Sequence, residues 1–347
     1  MLDTFLASLN PMLSLFMCMI IGFALKKTNV LPESASKIMS KLIIWVFYPA
    51  LSFSTMARYF TVDTIKMHAS NMAMFAVGLA AAIAIAFLLA PLFVKEKCYE
   101  RGIYLYALTF ANSGYMGDPL VQAIFGDNIL SYYKMACLPL SIAIYTWGAS
   151  CLVPSGKGGK GDLIKKLLNP PLVAMLVGSA LGIILGFVGT DGSAPTAYDA
   201  IFPSFIIKTL DSLKSCMGPT AMLLAGVTVA NYSPARMFKN KKVYIATALR
   251  LIFIPSAIFA VMFGVKELIN LIFGASIDNT AILLMFFAIA TPLGLNTIVY
   301  PEAYGGDPEI GASMAMISHT LCVITIPIMF ALLCMIFGQN TWLPLQI

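Results

Sequence analysis

The sequence predicts an all-α polytopic membrane protein of ten transmembrane helices, arranged as two inverted repeats of five. Three observations predict it. The chain is 59% hydrophobic and only 11% charged, with a mean hydropathy of +0.86; a soluble domain carries roughly twice that charge fraction. Apolar runs near the ~20 residues needed to cross a bilayer recur throughout its length. Two of these runs, one in each half, are interrupted by Pro, Gly and Asn.

The spans fall at roughly 5–25, 38–57, 72–93, 102–126, 131–152, 170–189, 203–230, 243–265, 279–304 and 312–337. Span one has an acidic residue before it and no small-residue cleavage site after it, so it reads as a retained helix rather than a signal peptide. The odd-numbered connections hold fifteen basic residues: Lys26, Lys27, Lys37, Lys41, Lys95, Lys97, Arg101, Lys157, Lys160, Lys165, Lys166, Arg236, Lys239, Lys241 and Lys242. The opposite side keeps four: Arg58, Lys66, Lys134 and Lys266. By the positive-inside rule the odd connections are cytoplasmic, and both termini lie outside a cell (plasma) membrane. The net charge of +6 thus reports topology, and no nucleic-acid partner is expected.

The longest polar stretch, 154–168, contains Ser155-Gly-Lys-Gly-Gly-Lys-Gly161. It lacks the spacing and the preceding strand of a phosphate-binding loop, so it reads as a basic cytoplasmic linker. It divides the chain into 1–153 and 169–347, five spans each. The seven cysteines lack CxxC spacing and mostly sit in apolar runs, as small hydrophobes do. The 21 methionines form no copper-binding cluster, and no metal site is expected.

The halves match in order. Leu9-Asn10-Pro11 opens span one, and Leu168-Asn169-Pro170-Pro171 opens span six. Tyr48-Pro49-Ala50-Leu51 interrupts span two, and Gly218-Pro219-Thr220-Ala221 interrupts span seven. Gln122 to Asp127 closes span four, and Glu302 to Asp307 closes span nine. A duplicated unit with an odd number of spans must enter from the opposite side, so the repeat is inverted.

The interruptions are Thr109-Phe-Ala-Asn-Ser-Gly-Tyr-Met-Gly-Asp-Pro119 in span four and Ala290-Thr-Pro-Leu-Gly-Leu-Asn-Thr297 in span nine. Pro119 and Pro292 have no N–H to donate, and Gly114 and Gly117 ease unwinding. A broken helix persists in hydrocarbon only where protein or a water-filled cavity covers the freed backbone groups. Secondary transporters build substrate sites from such breaks.

Asn112 offers an amide beside unwound N–H groups, able to bind a carboxylate or to satisfy the broken backbone; Asn296 is its counterpart. Asp118 would couple transport to a proton, bind a cation, cap the helix or pair with Arg250. Arg250 would face an anionic substrate with its guanidinium fork, or snorkel to the cytoplasmic interface. His319 would assist proton movement or be held by hydrogen bonds. Lys208, Asp211 and Lys214 recur every three residues and can pair along one face of span seven.

Phe110-Ala-Asn-Ser-Gly-Tyr-Met-Gly-Asp-Pro119, Asn169-Pro-Pro171, and Pro292 with Asn296 resemble the auxin efflux carrier family over essentially the whole chain. Ala111 and Asp118 depart from the pattern of plant members and of many relatives, respectively. The resemblance implies a bile-acid-transporter-like fold. Spans one, two, six and seven would form a scaffold and homodimer interface. Spans three to five and eight to ten would form a mobile elevator domain, with spans four and nine crossing at their breaks. It places a substrate carboxylate at that crossover. The candidate substrate-binding set is then Asn112, Ser113, Gly114, Pro119, Thr291, Pro292 and Asn296, with Asp118, Arg250 and His319 as coupling or counter-charge residues.

The expected function is secondary transport of small organic anions such as malate, malonate or auxin-like acids, with no cofactor and with coupling to H+ or Na+ left open. A channel or a receptor for small ligands is the alternative. An intramembrane enzyme is disfavoured: the sequence has no HExxH, no aspartate-rich metal motif and no serine–histidine pairing.

Overall fold

The computed structural model describes residues 2–96, 98–154, 169–188, 196–232, 240–273 and 279–337. Among them the chain is all-helical, without strands. Helix α1 is Leu2–Lys27. Helix α2 is Ala35–Tyr59, and α3 is Val62–Phe93. Helix α4 is Tyr99–Thr109. Helix α5 starts with the π-helical turn Ser113–Gly117 and continues as Asp118–Ala136. Helix α6 is Leu138–Leu152, and α7 is Pro170–Leu185. The short α8 is Ala197–Ile201. Helix α9 is Ser204–Ala230, and α10 is Lys241–Ile272. The last three are α11 (Thr280–Ala290), α12 (Asn296–Tyr304) and α13 (Glu309–Phe337).

Among the described residues, five helices are long and apolar enough to cross a membrane: α2, α3, α9, α10 and most of α13. Helices α6 and α7 and the body of α11 are apolar but shorter. Helix α3 begins ten residues before the expected span, at Val62, because Thr61 and Thr64 form a reciprocal capping box there. The linker expected over 154–168 lies outside the described residues, except for Pro154.

The prolines act through the hydrogen bonds they cannot make. Pro49 follows the π-helical turn Ile43–Phe47 in α2, and Pro255 follows the π-helical turn Leu249–Phe253 in α10. Each removes an N–H from the helical ladder, and the ladder widens by one residue beside it. At α7 the sequence signal is a start. Asn169 accepts from the Leu172 N–H at 3.0 Å, and Pro170 and Pro171 occupy the first turn, where no N–H is needed. By contrast, Asn10 and Pro11 lie inside α1 and do not begin it.

Helix α5 bends back on itself. Asp118 and Lys134 are 16 residues apart yet form an ion pair, whereas a straight helix would separate them by about 24 Å. The sequence ends span four at 126 and starts span five at 131, both between these two residues.

Packing pairs the helices selectively. Helix α1 lies along α9, and α7 lies along α2. Gly226 of α9 faces the Met19 carbonyl of α1 so closely that a Cβ would collide with it. Small residues let two apolar helices approach where lipid supplies no hydrophobic driving force. Helices α3, α5, α10, α11 and α13 surround a buried core that includes Phe75, Leu108, Phe287 and Phe330.

Candidate functional site

Both interruptions stop a helix where the sequence places them. Helix α4 ends at Thr109 and the chain restarts at Ser113; α11 ends at Ala290 and α12 starts at Asn296. The extended residues between pair with each other. Ala111 and Leu293 form an antiparallel bridge. The Asn112 N–H donates to the Pro292 carbonyl at 2.9 Å, and the Gly294 N–H donates to the Phe110 carbonyl at 3.3 Å. Each break thus satisfies backbone groups of the other, as a low-dielectric interior demands. Gly294 permits the approach: a Cβ there would sit 3.2 Å from the Ala111 carbonyl oxygen and 3.3 Å from that of Phe110.

Side chains secure the pairing. The Asn112 amide nitrogen lies 3.1 Å from Nε2 of His319, whose Nδ1 lies 2.8 Å from the Ala315 carbonyl oxygen. A carbonyl only accepts, so Nδ1 carries the proton, Nε2 is the acceptor, and Asn112 donates. Asn112 Oδ1 is left buried with no partner. Asn296 uses both ends of its amide: Nδ2 donates to the Tyr106 hydroxyl at 2.7 Å, and Oδ1 accepts from the Tyr48 hydroxyl at 3.1 Å. Ser318 Oγ accepts from the Leu293 N–H at 3.3 Å. Thr291 is fully buried, with its Oγ1 3.4 Å from the Ala288 carbonyl oxygen.

Arg250 neither reaches Asp118 nor snorkels. It is fully buried, and its Nη2 donates to the carbonyls of Ile289 at 2.6 Å and Thr291 at 3.5 Å. Those carbonyls close α11, where the partial negative charge of the helix end gathers. The guanidinium is a charged cap on the broken helix.

Asp118 pairs with Lys134 instead. The pair sits at the junction of two spaces. A cavity of about 820 Å³ is lined by Leu51, Thr55 and Arg58 of α2, Gly114 and Asp118 of α5, and Lys214 of α9, among others. A smaller chamber of about 70 Å³ continues from it, lined by Tyr48, Ser52, Ser113, Tyr133, Ser141 and Tyr145, among others. Asp118, Lys134 and Gly114 line both. No atom comes within 4 Å of the place a Gly114 Cβ would take. At the outer rim Arg58 pairs with Asp199 at 2.6 Å, and Lys214 pairs with Asp211 at 2.7 Å along one face of α9.

At the opposite end, α12 is tied to α2 and α9. Glu302 of α12 accepts hydrogen bonds from Ser36 Oγ of α2 at 3.0 Å and Thr228 Oγ1 of α9 at 3.3 Å. Ser36 and Arg58 are 22 positions apart in one helix, or about 33 Å. The cavity and these hydrogen bonds therefore lie toward opposite ends of α2.

The structure thus divides the candidate residues. Ser113, Gly114 and Asp118 line the cavity or its inner chamber; Asn112, Thr291, Asn296 and His319 are buried and line neither. Pro119 occupies the first turn of Asp118–Ala136, and Pro292 supplies the carbonyl that holds Asn112. Sequence reasoning missed the chamber wall. Tyr133 at the end of α5, Cys137 at the junction, and Ser141 and Tyr145 of α6 line it at intervals of four residues. It also missed Tyr48 and Tyr106, whose hydroxyls hold Asn296. Among the described residues no cluster of His, Cys, Asp or Glu is arranged to hold a metal ion.

The profile of a family described as "Membrane transport protein" matches residues 7–330. An uncharacterized transporter of Methanocaldococcus jannaschii is 25% identical over 320 residues, covering 92% of this chain and 96% of that protein. An uncharacterized transporter of Methanothermobacter thermautotrophicus is 26% identical over 195 residues, covering 54% of this chain and 62% of that protein.

Proposed function

Because the chain belongs to the membrane transport protein family, the auxin efflux carrier family to which its motifs pointed, we propose that it is a secondary-active carrier of small organic anions. Ten crossings would form two inverted halves, 1–153 and 169–347, joined by a cytoplasmic linker over 154–168. The packing supports this symmetry: exchanging span one with six and two with seven turns the α1–α9 contact into the α7–α2 contact. In this reading spans one, two, six and seven are the scaffold, through which two copies pair. The remaining spans move as an elevator across the plasma membrane.

One observation carries the proposal. Two broken helices pair backbone to backbone, and the turn that restarts after the first, at Ser113 and Gly114, faces the cavity and its inner chamber. The first-turn N–H groups of such a helix have no intrahelical acceptors and favour an anion. By the distribution of basic residues the end with the cavity, beside Arg58 and Lys134, faces outside. Within this reading Asn112, Ser113, Gly114, Thr291 and Asn296 surround the carboxylate during the cycle, Pro119 and Pro292 shape the breaks, and Asp118 couples transport to a proton.

Counterflow in proteoliposomes tests the carrier. Vesicles preloaded with malonate are expected to accelerate uptake of labelled malonate. Flux with no trans-stimulation identifies a channel and ends the proposal. Asp118→Asn is expected to flatten the pH dependence of uptake between about pH 5 and pH 8; an unchanged profile removes the coupling role.

A further inference from the structure

We propose that Lys134 is the counter-charge for the substrate carboxylate, and that substrate takes it from Asp118, which in exchange binds one proton. The inference rests on the carrier reading and specifies how its site holds charge.

Lys134 and Asp118 line both the open cavity and the inner chamber, with side chains only 14% and 18% exposed. They are the one oppositely charged pair among the described residues that does so. The other cations of the cavity are engaged by acids at the rim: Arg58 by Asp199 and, at 3.9 Å, Asp211; Lys214 by Asp211. The groups around Asp118 are Lys134, Tyr115 and Tyr133 on α5, Cys137 between α5 and α6, Tyr145 on α6, Tyr48 on α2, and Lys214 on α9. Apart from Lys134 and Lys214, none of these is charged near neutral pH.

The pair is neutral as a whole. A carboxylate entering beside it would leave an uncompensated negative charge in a partly dry chamber, which is costly. Exchange avoids that cost. The Lys134 ammonium releases the Asp118 carboxylate and binds the incoming one, while a proton from the cavity neutralises Asp118. One anion and one proton enter, no covalent bond between heavy atoms changes, and the chamber keeps its net charge. The N–H groups of Ser113 and Gly114 lie on the same wall to receive the second carboxylate oxygen. Both partners belong to α5, so the exchange can occur without breaking any contact between α5 and the helices opposite.

The test is calorimetric titration of the purified full chain with acetate and with phenylacetate, in buffers of different ionisation enthalpy, so that proton uptake is read with binding. Wild type is expected to take up about one proton per acid bound. Lys134→Gln is expected to weaken binding about tenfold or more, and Lys134→Arg to restore most of it. Asp118→Asn is expected to bind with no proton uptake and no pH dependence. The neutral double variant Asp118→Asn/Lys134→Gln serves as a folding control, because it strands no charge. Binding by Lys134→Gln equal to wild type, or proton uptake persisting in Asp118→Asn, overturns the exchange and leaves the carrier reading standing. If wild type binds neither acid, the anion-carrier reading falls and the exchange with it. If Lys134→Gln does not fold, the proton count in Asp118→Asn decides.

Discussion

The amide nitrogen of Asn112 lies 3.1 Å from Nε2 of His319. Because the other ring nitrogen faces a carbonyl, this contact fixes both the imidazole tautomer and the orientation of the amide. The histidine that the sequence offered as a proton carrier is, in this geometry, the acceptor that holds an asparagine at the break. Replacing it with alanine strands a buried amide donor, which costs about 1–3 kcal/mol. His319→Ala is therefore expected to melt several degrees below wild type, while His319→Gln, which keeps an acceptor, recovers part of the loss. Equal melting of all three proteins in detergent would disprove the assignment.

Arg250 caps the carbonyls of Ile289 and Thr291 and faces no carboxylate. Arg250→Met keeps the bulk and removes the donors, leaving buried carbonyls without a cation at a helix end. The expected loss is about 2 kcal/mol or more. Arg250→Lys is expected to fall between, since it keeps a cation and a donor on a shorter side chain. Differential scanning fluorimetry reads this directly; an unaltered melting curve for Arg250→Met refutes the cap.

Gly294 allows the two breaks to touch. A Cβ there meets two carbonyl oxygens at 3.2 and 3.3 Å, so the backbones must separate by a few tenths of an ångström. Gly294→Val adds two methyl groups to the same contact, and overpacking of this kind costs about 1–3 kcal/mol. Transport is expected to drop steeply in Gly294→Val and partly in Gly294→Ala, in the order of added bulk. Uptake by Gly294→Val at the wild-type rate would show that the close approach is dispensable.

Tyr48 and Tyr106 hold opposite ends of the Asn296 amide. Each Tyr→Phe change removes one hydroxyl and is expected to cost about 1 kcal/mol. Because they share a partner, the double variant is expected to depart from the sum of the single changes. Thermal denaturation of the four proteins of this cycle measures the departure. Strict additivity would mean that the amide does not couple them.

Glycine and proline explain much of what could be read before any coordinates. Their effects are local: Pro119, Pro292 and Pro49 disturb the helices within a turn of their own positions, and Asn169-Pro-Pro171 starts α7, as the residue types require. The end of one apolar run at 126 and the start of another at 131 were likewise readable, between the two residues that the ion pair brings together. Asn112 and Asn296 stood out because a polar amide in an apolar run needs partners wherever it lies.

The sequence by itself determined that this is an all-helical membrane protein with two interrupted helices, because hydropathy, proline and glycine act on their own segment of chain. Which groups meet is a matter of distance in space, and only the tertiary structure decided it. Lys134 reaches Asp118 across 16 residues because α5 folds back, a relation no spacing along an ideal helix contains. Arg250 turns from a candidate counter-ion into a helix cap because α10 packs against the end of α11. The tyrosines around Asn296 come from α2 and α4 and acquire their role only where those helices converge on α12. Charge and shape at the cavity arise from such encounters, and an amino-acid sequence records them only through the fold it makes.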